Sequence, residues 1–585
     1  MTARRTAPAL LFAAAVLLPG CASQSSQVSP GTAPTPPLQY GNPLKLTPKP
    51  TTTAITAQDL MSRLYAFADD SMQGRQVGRE GNMKGTAFIA REIERLGLEP
   101  AGDNGTYFQN LPDTKLNAYG PSTLSVAGRS LQWNRDFTAT VPGNGLQPAT
   151  LEGTFPVIYG GVQGDTTVTP AQAAGKIIVF SARPAQPGQF GGGRAGGGPA
   201  AARYADAAAT ASVNLDGMTP YEIELISVND NRATYWRPAR EGAPAPAPMQ
   251  TALRLTTAGA EKLFGRSLDG LAPGTTVNGV QLKLNFTSTP KPGWARNVVG
   301  IVRGTDPVLR NEYVAIGAHN DHVGYNHTPV DHDSAVVYKH MAMAMSIRNA
   351  DTIRALTPEE RAQIVVNVDS LRRIRPARMD SIFNGADDDG SGSMALLEIA
   401  EAFAKGERPK RSILFVWHTG EEGGLVGSAY YSTHPTVPIN SIVAAINVDM
   451  IGRGGPQDLP GGGPDYLGVV GRNMLSPELG AMVEAANAKQ KRPLKLDDRF
   501  DTDVRPTLGA SYNNIYQRSD HYNYAKQGIP IAFFFTGLHG DYHQVTDEPQ
   551  YIDYPHYTRI TNYIHDVMVE VANNPKRPAV TKPVS

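Results

Sequence analysis

The 585-residue sequence predicts an α/β protein, a mostly parallel mixed sheet covered by helices on both faces, interrupted by an inserted β-rich domain. Three observations carry this expectation. From Asn297 onward, short unbroken apolar runs alternate with amphipathic helical stretches, as strands buried on both faces require. Before that, residues 141–290 show isolated strand-like runs separated by tracts rich in Gly, Ala and Pro. Hydrophobic residues make up 41% of the chain, enough for more than one core at this length.

The elements follow in chain order. Arg4 and Arg5 precede an apolar run, Ala9 to Leu18, that falls short of the roughly 20 residues a membrane span needs. Such a run reads as an export signal. It ends in Leu18-Pro19-Gly20-Cys21, which resembles a bacterial lipobox. The resemblance implies a lipoprotein signal peptide over residues 1–21 and lipidation at Cys21. The chain is then expected to be exported and lipid-anchored to the membrane of the bacterial cell envelope, at the outer membrane or periplasm. Cys21 is the single cysteine, so neither a disulfide framework nor a Cys-ligated zinc site is available. Residues 22–54, rich in Pro, Ser and Thr, have little to bury and read as a flexible linker.

Residues 55–140 form the N-terminal part of the main domain. Leu60, Leu64 and Phe67 recur at helical spacing, then Phe88, Ile89, Ile93 and Leu96 mark a second helix stopped by Gly97. Within 141–290, Leu151–Tyr159 and Lys176–Phe180 read as strands, and the run from Val157 to Val179 resembles a protease-associated (PA) domain. Residues 291–585 carry the remaining strands: Val298–Val302, Tyr313–Gly317, Ser412–Trp417, Val443–Val448, Tyr466–Val470 and Ile531–Phe535. Helices are expected at Ser393–Lys405 and His556–Ala572. The formal net charge is zero, 54 basic against 54 acidic residues, so no positive field favours a nucleic-acid partner.

Ligands of open α/β sheets bind beyond the carboxyl ends of the strands. There lie Ala318-His319-Asn320-Asp321-His322, the run His418 to Gly424 with Glu421 and Glu422, Asp449, and Asp541-Tyr542-His543. The triplet Asp387-Asp388-Asp389 stands just before a helix. Singly, each piece has a plain explanation, such as helix capping or a solvated loop. Jointly, two histidines and several carboxylates from different strand ends offer N and O donors without thiolate, which suits Zn²⁺ or a similar ion. The number of carboxylates suits two ions sharing a bridge.

The segments GAHNDHVG, GADDDGSG, HTGEEGGLVGS, NVDMIG, SDHYNYAKQGIP and DYHQVTDEP, in this order, resemble the co-catalytic zinc aminopeptidase family. That family contains bacterial leucyl aminopeptidase, aminopeptidase Y and glutamate carboxypeptidase, and a PA-like insert is among its known arrangements. The resemblance implies two zinc ions per chain and peptide substrates. One ion would take His319, Asp388 and Asp449, and the other Asp388, Glu422 and His543. Asp321 would orient His319, Glu421 would be the general base, and Tyr516 would hydrogen-bond the developing oxyanion. A cis peptide after Asp388 is implied as well.

One feature departs from the family. An extra segment, residues 326–381, separates His319 from Asp388, and it reads either as a lid over the site or as a peripheral helical hairpin. His322, His327, Asp331, His332 and Asp333, in or near it, read as polar loop residues rather than ligands. Two rivals share the architecture: a metal-free binding protein like transferrin receptor, and a one-zinc glutaminyl cyclase. The complete donor set disfavours both. No Gly-x-Ser-x-Gly elbow supports serine chemistry.

Overall fold

The computed structural model describes residues 41–141, 151–182, 203–230, 233–238, 251–349, 352–501 and 514–581. The signal region, Cys21 and the side chain of His327 lie outside the described residues.

The main domain is built on a nine-stranded mixed sheet. Its central strands are Ser412–His418, Tyr313–His319, Ile442–Val448 and Ile531–Phe535, neighbours in that order and all parallel. Their carboxyl ends therefore open on one side. Arg296–Val302 adds antiparallel beyond Ser412–His418, and Tyr466–Val470 adds antiparallel beyond Ile531–Phe535. A short strand, Lys495–Asp497, extends that edge; three residues leave too little pattern to read from sequence.

Side-chain alternation explains why both faces are covered. Val314, Ile316, Ile413 and Phe415 face a core closed by the helices Ala57–Phe67, Glu80–Leu96, Gly392–Lys405 and Tyr554–Asn573. Tyr313, Ala315, Leu414 and Val416 face the opposite core, closed by Val426–Thr433 and His521–Ala525. On the first face, buried Arg63 ties three helices together. Its guanidinium lies 2.5 Å from Glu398 and 3.3 Å from Glu92, and it also pairs with Glu401.

A second nine-stranded sheet with its own core lies, in sequence, between Phe108–Asn110 and Arg296–Val302. The expected edge near residue 140 shifts toward the N-terminus. Lys115–Val126 pairs along its length with Thr276–Pro290, and Phe137–Thr140 pairs with Ala252–Leu255. Within this pair Asn285 donates to the Pro121 carbonyl, 164 positions away, so the local pattern of residues 107–140 could not reveal the pairing.

Part of the expected linker is also corrected. Residues 41–54 run along the main domain: Asn42 is buried and donates to the carbonyls of Gln550 and Ile552, at 3.1 and 2.8 Å, and Thr51 donates to Glu401 at 2.6 Å. Polar side chains held by backbone carbonyls order a segment that has little to bury. Among the described residues, no helix is long and apolar enough to cross a membrane.

The segment 326–381 contains the helices His332–Ser346, Pro358–Ala362 and Val368–Ile374. Its neck is a two-stranded ribbon, Tyr325–Asp331 against Met379–Ile382.

Candidate metal centre

Four strand ends and one helix start deliver the donors. His319 ends Tyr313–His319, Asp449 follows Ile442–Val448, and Glu421 and Glu422 follow Ser412–His418. His543 comes from the loop after Ile531–Phe535 and holds a left-handed backbone, φ 54°. Asp388 stands in the turn entering Gly392–Lys405, and its peptide bond to Asp389 is cis. That turn needs glycine at 392, where a Cβ would lie 2.2 Å from the Val448 carbonyl oxygen.

The aspartate triplet shows why its middle member faces the site. Asp387 accepts from the Gly452 N–H at 2.6 Å, and Asp389 accepts from the N–H groups of His319 and Gly392 at 3.0 and 2.8 Å. Asp547 in turn accepts from the N–H groups of Asp387 and Asp388, at 2.9 and 3.1 Å. The outer carboxylates thus hold backbone, with Asp387 Oδ2 turned to His539 Nε2 at 3.2 Å. Asp388 divides its two oxygens: Oδ1 lies 3.0 Å from His319 Nε2, and Oδ2 lies 3.0 Å from His543 Nε2.

Two donor groups result, sharing Asp388. One is His319, Asp388 and Asp449; the other is His322, Asp388, Glu422 and His543. Asp449 Oδ1 is 3.6 Å from His319 Nε2, while its other oxygen accepts from Ser519 at 2.7 Å. Glu422 Oε1 is 2.9 Å from both His543 Nε2 and His322 Nδ1. His322, expected as a loop residue, is therefore a member of the cluster. Its place directly after Asp321 was the available signal, but only the fold turns its ring toward Glu422.

The fit to cations rests on the inward atoms themselves. His319 Nε2, His543 Nε2, Asp388 Oδ2, Glu422 Oε1 and Asp449 Oδ1 are buried and make no hydrogen bond. Buried polar atoms are normally satisfied. Five that converge unsatisfied, with nitrogen and oxygen donors only, suit divalent ions of the zinc class.

The protonation pattern follows. Burial disfavours a charged His543, but Glu422 and Asp388 outweigh it and hold the imidazole up at about 11. Burial would raise Glu422, yet the facing imidazole of His543 holds it down at about 2. Glu421 goes the other way: burial pushes it well above the ordinary glutamate value, against the opposing charge of His319 and with the help of Glu422 and Asp449.

Two expected roles look different in the structure. Asp321 meets His319 Nδ1 through its backbone carbonyl, at 3.0 Å, while its carboxylate stands 3.8 Å away. That carboxylate accepts from the Glu421 N–H at 3.2 Å, so it braces the Glu421 loop. The described ring contacts of Tyr516 are to His521 and Tyr522, and none is to a donor. Tyr542, whose neighbour in sequence is the donor His543, stacks on that ring with centroids 3.9 Å apart. From the second sheet domain, Arg237 donates to the Gly423 carbonyl at 2.7 Å, immediately after Glu422.

Part of the chain is similar to known proteins. Residues 297–568 match peptidase family M28. Leucine aminopeptidase 1 of Colletotrichum graminicola is 31% identical over 183 residues, covering 29% of this chain and 41% of its own length. Leupeptin-inactivating enzyme 1 of Streptomyces exfoliatus is 29% identical over 192 residues, covering 30% and 34%. The matches thus span less than half of each relative. A solved zinc aminopeptidase from Bacillus subtilis aligns over 92% of this chain and 100% of its own, with 17% identity and a TM-score of 0.48. Residues 297–568, which hold every donor of the cluster, are thus similar to peptidase family M28.

Proposed function

We propose that this protein is an exported, lipid-anchored di-zinc aminopeptidase that releases N-terminal residues from peptides. The observation that carries the reading is Asp388, whose two oxygens face two separate imidazoles, as a carboxylate bridging two cations must. His319, Asp388 and Asp449 would hold one ion, and Asp388, Glu422 and His543, joined by His322, the other. Bound there, the ions would polarise the scissile carbonyl and make water acidic enough to attack near neutral pH.

The chain's own groups do the rest. Glu421 adjoins a ligand but stands apart from both donor groups, since consecutive side chains diverge. It takes the proton of the attacking water and delivers it to the leaving amine nitrogen. Its raised proton affinity suits that exchange. Asp321 braces Glu421 through the backbone, as described above. Tyr516 is the expected oxyanion partner, and Tyr542, stacked on the His543 ring, is a second phenol beside the donors.

The aminopeptidase reading, rather than another exopeptidase, draws on the names of the relatives. The second sheet domain is read as a PA-like module that limits access to the site. The segment 326–381 is read as a lid, because Ile353 packs on the same apolar cluster as Tyr542. The anchor at Cys21 places the enzyme at the bacterial cell envelope. The deciding test is zinc content together with release of N-terminal residues from chromogenic aminoacyl substrates. Two ions and chelator-sensitive release are expected; a metal-free, inert protein would overturn the reading in favour of a binding protein.

A further inference from the structure

A second set of metal-type donors lies at the neck of the insertion, away from the cluster described above. His332 opens the helix His332–Ser346 and is fully buried. Its Nδ1 is 2.9 Å from Asp380 Oδ2 and 3.3 Å from Glu548 Oε1. The three donor atoms lie within 4.8 Å of one another. Donors around a tetrahedral zinc ion, with bonds of roughly 2.0–2.1 Å, stand about 3.3 Å apart. The spacing at His332 is therefore the spacing of a ligand set, and it matches the 2.9 and 3.0 Å around His543.

Each donor is also held from behind, as metal ligands are. His332 Nε2 lies 3.2 Å from the Tyr551 hydroxyl, and the two rings stack. The remaining oxygen of Asp380, Oδ1, accepts from the Ile382 N–H at 3.0 Å. Glu548 Oε2 accepts from the Gln550 amide and faces Arg378 at 3.7 Å. The remaining donor atom of each residue faces the others: His332 Nδ1 is hydrogen-bonded to Asp380 Oδ2 at 2.9 Å, with Glu548 Oε1 3.3 Å from the same nitrogen. The Nδ1 position can carry one hydrogen, so it can serve only one of two buried carboxylates. Arg372 is taken by Asp331 and Arg375 by Asp333, so the neighbouring cation is Arg378, on the far oxygen of Glu548 at 3.7 Å.

We propose that His332, Asp380 and Glu548 hold a third divalent cation of the zinc class, which staples the insertion 326–381 to the loop that carries His543 and Asp547. His332 and Asp380 come from the two sides of the insertion's neck, and Glu548 from the main domain. The ion closes the neck and fixes where the insertion sits. A water would complete the tetrahedron.

The experiment is metal counting on the full chain, loaded with Zn²⁺ and freed of excess by gel filtration. His332→Gln and Asp380→Asn are each expected to lose one zinc per chain relative to wild type. Equal zinc in wild type and both variants overturns the proposal and leaves a plain ion pair at His332. A second arm does not depend on those variants folding. The Asp388→Asn/His543→Gln double variant disables the proposed catalytic ions; it is expected to bind one Zn²⁺ by calorimetry. No binding there overturns the third site, whereas a wild-type chain that holds this one ion and no other counts against the proposed reaction alone.

Discussion

Asp388 and Glu421 concentrate the chemistry at the level of single residues. Glu421→Gln keeps the shape and removes the proposed base. Its kcat should fall by about 10²–10⁴-fold with zinc content unchanged, as read by steady-state kinetics and metal analysis. The metal-free cluster holds protons that cations must displace. Opposing burial, Asp449 and Asp388 raise His319 well above its ordinary value, and His543 stands at about 11. His543 is thus protonated at neutral pH without metal, and a metal bound at its Nε2 displaces that proton. Zinc binding should release protons, and apparent affinity should fall as pH falls. Calorimetry in buffers of different ionisation enthalpy measures the release; a heat independent of buffer would refute it. The donors at strand ends were legible because strands, helices and motif order place them. His322 and Tyr542 were not, because only a tertiary contact separates a ligand from a loop residue.

Among the elements, Arg63 is the pin that holds Ala57–Phe67 and Glu80–Leu96 to Gly392–Lys405. Removing one member of a buried ionic cluster strands the others, at a cost of about 3–5 kcal/mol. Arg63→Met should lose that much stability in denaturant unfolding. Burial already pushes Glu398 up to about 8 despite Arg63. A carboxyl raised in the folded state destabilises as pH climbs through its folded value. The deficit of the variant should therefore grow from neutral pH to pH 9; a deficit that shrinks would contradict this account. The main-sheet helices were readable from apolar spacing, whereas Arg63 gave no local sign of its partners. The same reason hid the pairing of Lys115–Val126 with Thr276–Pro290, whose alternating pattern names a strand but no neighbour.

Across the whole molecule, the two sheet domains meet at the loop that carries Glu421 and Glu422. Arg237 of the second domain holds the Gly423 carbonyl beside Glu422. A hydrogen bond from a charged group is worth about 1.5–3 kcal/mol. Arg237→Ala should loosen that loop and raise KM more than it lowers kcat, as measured on a peptide series; unchanged parameters would mean the domains act independently. Chelation should also act globally. Converging carboxylates lose the cations that pair them, so Tm should drop on adding chelator and recover with Zn²⁺. An unshifted melting curve would mean that the donors bind nothing.

By itself the sequence determined the class of the main sheet, the strand ends that carry donors, and the donor chemistry. These depend on hydrophobic period and residue type, which are local properties. Tertiary structure alone decided that Asp388 shares its oxygens between two imidazoles, that Asp321 braces the Glu421 backbone, and that His332 meets Glu548. Each is a contact between distant segments, and which atom of a side chain faces which neighbour is set by packing that no local pattern encodes.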